Sequence, residues 1–145
     1  MSTTRKIEPY LFFEGRTDEA IEFYQKTLDA EVLMLMRFKD SPEPPPPAES
    51  GCAPGDPNKV MHACIRIGET NVLLSDGNCG GTTSFQGFSL SLTAADSAEA
   101  EKRFKALGEG GNVIMPLGKT FFSPSFGMLT DRFGVMWMVM VPMPA

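Results

Sequence analysis

Three side chains that can do chemistry alternate along one short run of the sequence, VMHACIRI, at residues 60–67. His62 is the only histidine of the chain, and an imidazole that titrates near neutral pH can serve as a general base. Arg66 carries a guanidinium that suits a carboxylate or a phosphate. Cys64 lies between them, but residues two apart on a strand are separated by about 7 Å, so a direct Cys–His nucleophilic pair is not expected.

Three further runs alternate in the same way and complete a candidate binding site. Polar groups recur every second residue at Ser89, Ser91 and Thr93. Large apolar side chains recur in the same manner at Met136, Met138, Met140, Leu11 and Phe13. A few hydrogen-bonding groups beside a large apolar surface are the usual composition of a small-molecule pocket. We therefore predict His62 as the catalytic candidate, and Arg66 together with these eight residues as the binding candidates.

Each of these patterns also has a purely structural explanation. A single histidine on a strand is often solvated or part of the packing, and methionines commonly fill irregular gaps in a core. The polar sides of alternating strands often face bulk water in an antiparallel sheet. The residue types alone therefore leave the structural and the functional explanation open.

The elements that would position these residues begin with a short aromatic strand at residues 9–13. An amphipathic helix follows at about 17–28, with Thr17 as its expected cap, and then a buried strand at 31–38. Residues 39–58 contain seven prolines, which neither continue a helix nor donate to a sheet. We expect this segment to be a stiff extended loop that is mobile or lies across a partner subunit.

The same order of elements then returns. A strand precedes a helix at about 97–107, and three more strand-like runs end the sequence. Thr17 of the first helix and Ser97 of the second are 80 residues apart. A repeat of this length indicates duplication of a supersecondary unit. We predict an α+β fold of two βαβββ modules, at about 5–76 and 87–142, that form a curved sheet with a central trough.

Length and composition fit one small globular domain and disfavour several classes of protein. The 145 residues carry a net charge of −5, which argues against nucleic-acid binders with their basic surfaces. The apolar run near the N-terminus ends after a few residues, too short for a signal peptide or a membrane span. Three cysteines, Cys52, Cys64 and Cys79, form no disulfide pattern, so we expect reduced thiols in a cytoplasmic protein.

Five segments that together cover nearly the whole chain carry a family resemblance. They are PYLFFEGRTDEAIEFY, VLMLMRF, KVMHACIRIG, FSLSLTAAD and SFGMLTDRFGVMWMV. With them the chain resembles the PhnB-like group of the glyoxalase/bleomycin-resistance (vicinal oxygen chelate) superfamily, a group also described as 3-demethylubiquinone-9 3-methyltransferase-like. The resemblance implies paired βαβββ modules, and often a homodimer that completes or flanks the cavity.

The resemblance also bears on cofactors. Metal-dependent members of the superfamily hold a divalent ion with one ligand from each of four strands, and three of those positions fall on Pro9, Ser89 and Met138 of this chain. Proline offers no ligand atom, serine is a poor ligand, and a thioether prefers soft metals. The sequence also has no glycine-rich strand-to-helix turn for a nucleotide-like cofactor. We therefore expect no divalent metal and no other cofactor.

Three hypotheses for the function follow. The first is a metal-independent protein that binds a small molecule and acts as a homodimer, without contacts to membranes or nucleic acid. The second is an isomerase, lyase or transferase acting on a small anionic compound, with His62 as the base and Arg66 as the anion holder. The third is a resistance protein that sequesters a cationic aromatic drug. An inward Arg66 would favour an anionic ligand, whereas an inward Glu14 or Asp76 would favour a cationic one.

Overall fold

The computed structural model describes residues 5–40, 57–77 and 83–143 of the chain. They form two compact units, one ending at Thr83 and the other starting at Ser84. Each unit contains, in order, one strand, one helix and three strands. The predicted duplication of a βαβββ unit in an α+β fold is therefore confirmed, whereas the trough stays a prediction.

The first unit is built on a four-stranded sheet, which we call sheet A. Its elements are β1 (Tyr10–Phe12), α1 (Thr17–Leu28), β2 (Glu31–Arg37), β3 (Val60–Ile67) and β4 (Thr70–Ser75), with a short 3-10 turn at Phe38–Asp40. The strands lie in the order β1-β4-β3-β2, with β1 parallel to β4 and the other neighbours antiparallel. A parallel neighbour needs a crossover connection, which α1 and the two intervening strands supply.

The second unit repeats this arrangement in a four-stranded sheet, which we call sheet B. Its elements are β5 (Leu90–Thr93), α2 (Ser97–Gly108), β6 (Asn112–Gly118), β7 (Phe126–Thr130) and β8 (Met136–Met140). The strand order is β5-β8-β7-β6, and again only the first pair, β5 with β8, is parallel. Both helices lie within one residue of their predicted bounds.

Each helix covers one face of its own sheet, and the core of each unit lies between the two. The buried side chains of α1 are Thr17, Ala20, Ile21, Phe23, Tyr24, Thr27 and Leu28. The sheet side of this core contains Leu11, Ala63, Ile65, Val72 and Leu74, all buried. Phe13 joins the two layers, because its ring centroid lies 6.2 Å from that of Tyr24.

The first turn of α1 is capped from another element, which corrects the prediction that Thr17 is the cap. Arg16 stands at the N-cap position, and the capping oxygen comes from Asp76, just after β4. Its Oδ1 accepts a hydrogen bond of 2.9 Å from the Thr17 amide, and its Oδ2 accepts one of 2.6 Å from the Val60 amide. One buried carboxylate therefore ties together the starts of α1 and β3 and the end of β4.

In the second helix the cap is local. The Asp96 carboxylate accepts a hydrogen bond of 2.8 Å from the amide of Glu99, and the Glu99 carboxylate accepts one of 3.2 Å from the amide of Ala95. The arrangement resembles a capping box, except that the Glu99 carboxylate meets the amide of Ala95, the residue before the N-cap.

The strand at residues 31–38 was expected to be buried, and the structure corrects this. β2 is an edge strand of sheet A, and Val32, Leu33 and Met34 are 37%, 45% and 39% exposed. An edge strand has a neighbour on one side only, so an apolar run there need not reach the core.

The predicted proline-rich loop lies largely outside the described residues. The two ends of this segment are joined by a hydrogen bond of 3.0 Å from the Lys39 amide to the Pro57 carbonyl. Cys52 and Cys79 also lie outside the described residues, whereas Cys64 is described and is a free thiol.

Candidate functional site

The face of sheet A opposite α1 carries the side chains with the most chemical capability in the first unit. We call it the open face of sheet A. It contains Tyr10 and Phe12 on β1, Met34 and Met36 on β2, His62 and Cys64 on β3, and Leu73 on β4. In the strand register Tyr10 lies opposite Leu73, Leu73 opposite Cys64, and Cys64 opposite Met34, so one row of side chains crosses the whole sheet.

A hydrogen bond organises this face. The Tyr10 hydroxyl lies 3.0 Å from Nδ1 of His62, and the two rings are 5.5 Å apart between centroids. Phe12 extends the group, because its ring centroid is 4.9 Å from that of Tyr10. We call Tyr10, Phe12 and His62 the aromatic cluster. Tyr10 is 38% and Phe12 50% exposed, so the cluster presents ring surface to solvent.

The hydrogen bond with Tyr10 engages Nδ1 of His62 and so decides which ring nitrogen remains available to a ligand. When the imidazole is protonated at Nδ1, that N–H donates to the Tyr10 oxygen and Nε2 keeps a lone pair for a base. When it is protonated at Nε2, the Tyr10 hydroxyl donates to Nδ1 and Nε2–H becomes a donor for a ligand. In both tautomers Nε2 is the atom that can meet a bound molecule.

Cys64 is not set up as a nucleophile. Burial raises the pKa of its thiol, and the negative charge of Glu8 raises it further, while Lys6 acts in the opposite direction. A thiol with a raised pKa is largely protonated at neutral pH and is therefore a weak nucleophile.

Arg66 shares the open face of sheet A with His62 and Cys64, near the end of β3. It lies beside Glu31 of β2, and its guanidinium donates a hydrogen bond to the Glu31 carboxylate. The two side chains are 48% and 60% exposed, so this is a surface ion pair. Arg66 as an anion holder stays a prediction, and an anionic ligand would have to compete with Glu31 for its charge.

Leu11 and Phe13 were predicted to line the open side, and the structure corrects their orientation. They are 2% and 0% exposed and belong to the core beneath α1. Their neighbours Tyr10 and Phe12 occupy the open face instead. In a run of consecutive large apolar residues, alternation alone does not say which set faces inward.

In the second unit, most of the predicted residues share one face. We call the side of sheet B opposite α2 the methionine face. Met136, Met138 and Met140 lie on this face. Trp137 and Val139, the residues between them, are buried on the other side of the strand.

Ser91 and Thr93 lie opposite Met138 and Met140 in the register and are exposed. Ser89 lies one residue before β5 and is half-buried. Two methionines that the sequence analysis missed extend the face, because Met128 pairs with Met138 and Met115 pairs with Met128. The alternation of Met128 with the buried Leu129 was the available signal.

The strands that hold the divalent ion in metal-dependent members of the superfamily carry the following side chains in the part of this chain that the structure describes. On the open face of sheet A, β1 carries aromatic rings. On the methionine face of sheet B, β8 carries thioethers and β5 carries hydroxyls. Asp76 directs both carboxylate oxygens to main-chain amides. Across residues 5–40, 57–77 and 83–143, no three His, Cys, Asp or Glu side chains lie close enough to hold a metal ion. Hard and borderline divalent ions need such ligands.

Two mixed sheets in consecutive βαβββ units, each with a helix on one face, are the architecture of the glyoxalase/bleomycin-resistance proteins. Solved structures of a glyoxylase/bleomycin resistance protein/dioxygenase domain and of a fosfomycin resistance protein share it, at sequence identities where the likeness concerns the fold alone. The chain belongs to the family described as 3-demethylubiquinone-9 3-methyltransferase, whose model matches residues 5–140. The resemblance to the PhnB-like group is therefore confirmed.

Individual relatives agree with this placement. The chain is 34% identical over 138 residues to protein YjdN of Escherichia coli K12, covering 93% of this chain and 94% of that protein. The crystal structure of protein PA1353 from Pseudomonas aeruginosa has 40% identity and a TM-score of 0.81, covering 96% of this chain and 98% of that one. The PhnB protein from Bacillus cereus has 29% identity and a TM-score of 0.75, covering 94% and 99%.

The family description names a methyl transfer, which would call for a methyl-donor cofactor. At the start of α1 the Thr17 amide donates to the Asp76 carboxylate, and at the start of α2 the Glu99 amide donates to Asp96. None of the helices in the described ranges has the length and apolar character needed to cross a bilayer.

Proposed function

We propose that this protein binds a small, largely apolar molecule and does so without the divalent metal of its superfamily. One observation carries the proposal: the aromatic cluster presents two exposed rings beside a hydrogen-bonded imidazole on the open face of sheet A. Exposed rings beside one oriented polar group are the usual make-up of a site for a flat ligand. The donor sets described above support the absence of a divalent ion.

The ligand class that suits the cluster is an uncharged ring compound with one or two oxygens. Its ring would lie against Phe12 and Tyr10, and an oxygen would meet Nε2 of His62. The pairing of Arg66 with Glu31 favours an uncharged ligand over an anionic one, because an anion would compete with Glu31 for the Arg66 charge. The family description names a demethylated ubiquinone, whose ring has this chemistry. A ubiquinone analogue without an isoprenoid tail is therefore a suitable first probe.

Calorimetric titration with that analogue tests the proposal. The wild-type protein should bind one molecule per chain, and Phe12→Ala should weaken binding about tenfold, since an aromatic contact contributes up to ~1.5 kcal/mol. Phe121→Ala is the matched control, because Phe121 is 93% exposed and lies outside both sheets. Equal losses in the two variants would show that the cluster is not the binding surface.

A second candidate function is enzymatic, with His62 as a general base acting through Nε2. The Tyr10 bond favours it, because a hydroxyl that holds Nδ1 orients the ring for proton transfer. His62→Ala should then abolish any turnover while probe affinity falls only by the loss of one hydrogen bond, and Tyr10→Phe should lower the turnover because the imidazole loses the bond that orients it. Full turnover in His62→Ala would remove His62 from the mechanism.

The drug-sequestering alternative relied on Glu14 or Asp76 as its acidic group. Main-chain amides occupy both oxygens of Asp76, so that alternative now depends on Glu14. For partners we propose a second copy of this chain and no nucleic acid, consistent with the net charge of −5. The free thiol of Cys64 fits a reducing, cytoplasmic location.

A further inference from the structure

Two neighbouring cross-strand pairs on the open face of sheet A bring together four soft or borderline metal donors. Cys64 on β3 lies opposite Met34 on β2, and His62 lies opposite Met36. We call these four residues the soft-donor cluster. The pattern arises because both strands alternate in step, with His-x-Cys on one and Met-x-Met on the other.

The spacing of these pairs allows one ion to reach several donors. Directly opposite residues in an antiparallel pair have Cβ atoms about 5 Å apart, and residues two apart on one strand are separated by about 7 Å. Metal–sulfur and metal–nitrogen bonds of about 2.0–2.3 Å require donor atoms within roughly 4 Å of one another. The three rotatable bonds of methionine let its thioether cover the remaining distance.

The chemistry of the donors selects the ion. Thiolate and thioether ligands favour Cu(I), and imidazole is also a good copper ligand. Zinc is poorly served, because only two of the four residues are ligands that zinc normally uses. Tyr10 holds Nδ1 of His62 at 3.0 Å, which leaves Nε2 as the metal-binding atom and orients the ring as an outer-shell partner does.

We propose that the soft-donor cluster is a Cu(I) site, formed by the sulfur of Cys64, which releases its thiol proton to solvent when the ion binds, with His62 Nε2 and the thioethers of Met34 and Met36. In the single chain an ion can reach the site, since Met34 is 39% exposed and the other three residues are half-buried. It differs from the superfamily's divalent site in its strands, because it uses β2 and β3.

Anaerobic transfer of Cu(I) from its bis-bicinchoninate complex tests this assignment. A Cys52→Ser/Cys79→Ser background leaves Cys64 as the only thiol, and it should take up one Cu(I) per chain. Adding Cys64→Ser should weaken binding more than ~100-fold, beyond the loss that an outer-shell change produces. Adding Met34→Leu should weaken it about tenfold.

The chain supplies a matched control for the thioether. Met115 on β6 holds the place in sheet B that Met34 holds in sheet A, and it is similarly exposed at 45%. Met115→Leu should leave Cu(I) affinity unchanged. The proposal is overturned by no transfer to the background protein, by uptake that survives Cys64→Ser, or by equal effects of Met34→Leu and Met115→Leu.

Discussion

At the scale of single residues, the buried carboxylates carry much of the architecture. Asp76 accepts hydrogen bonds from two amides of different elements, and Asp131 accepts three around the turn between β7 and β8. Asp131 Oδ1 accepts from the amides of Phe133 and Val135, and its Oδ2 accepts from the indole of Trp137 at 2.9 Å. Such groups leave several buried donors without a partner when they are removed.

Asp76→Ala should therefore lower the free energy of unfolding by about 2–4 kcal/mol, because two buried amides lose their acceptor. Asp96→Ala, at the exposed cap of α2, should cost only about 1 kcal/mol. Urea denaturation of both variants measures the difference. Equal costs would mean that Asp76 is no more than an ordinary helix cap.

Residue identity predicted some placements and not others. Met136, Met138 and Met140 alternate with residues that are strongly buried, so their shared face followed from the period of the strand. Along PYLFF every residue is large and apolar except for one hydroxyl, so the alternation did not show which side chains face the core and which face solvent. The Tyr10 hydroxyl was the usable signal, because a tyrosine keeps its polar tip in contact with water and therefore favours the exposed side of the strand.

At the scale of elements, one ion pair joins the first helix to an edge strand. Both Arg37 guanidinium nitrogens bond the Asp18 carboxylate at 2.8 Å, and Arg37 also reaches the Asn58 carbonyl. The hydrogen bond from Arg37 lowers the pKa of Asp18 below 3.8, against the opposing effect of burial.

This contact should make stability depend on acid. A carboxyl whose pKa is lower in the folded state stabilises the fold above its unfolded pKa and loses that contribution as the pH falls through the folded pKa. Asp18→Asn should thus cost less than about 1 kcal/mol at pH 7, since the Asp18 side chain is 58% exposed, and nothing near pH 2. Urea denaturation at both pH values checks this; a cost that persists in acid would contradict it.

The helices and their repetition were predictable because amphipathic period and flanking polar residues act locally. The exposure of β2 was not, because the position of a strand within a sheet depends on pairings far along the chain. The sequence run VLMLMR has the composition of a central strand and lies at an edge. The soft-donor cluster was hidden for the same reason, since it needs the register of β2 against β3.

At the scale of the whole molecule, the two units expose equivalent apolar edges. Each edge has three consecutive large residues that are 37–48% exposed. In both edges the pairing with the neighbouring strand shifts register between the first and the third of them. They are Val32, Leu33 and Met34 on β2, and Val113, Ile114 and Met115 on β6. Exposed apolar edges without charged residues favour association with another chain.

We therefore expect a homodimer in which β2 and β6 meet partner strands edge to edge, an arrangement that leaves the open face of sheet A and its Met34 uncovered. The Leu33→Glu/Ile114→Glu double variant should sediment as a monomer at concentrations where the wild type is a dimer, because burying two carboxylates is costly. Ile7→Glu is the control, since Ile7 is fully exposed and lies outside the strands. A monomeric wild type, or a double variant that remains dimeric, would refute this expectation.

The binding of a ring compound at the aromatic cluster is the central claim, and the single histidine offers the most direct test. The imidazole C–H signals of the protein in a ¹H–¹³C NMR spectrum belong to His62 alone. During titration with the tail-free ubiquinone analogue, these signals should shift and saturate together with the heat measured by calorimetry, because His62 would lie against the bound ring. Signals that stay fixed while the analogue saturates the protein would place the ligand elsewhere and contradict the account.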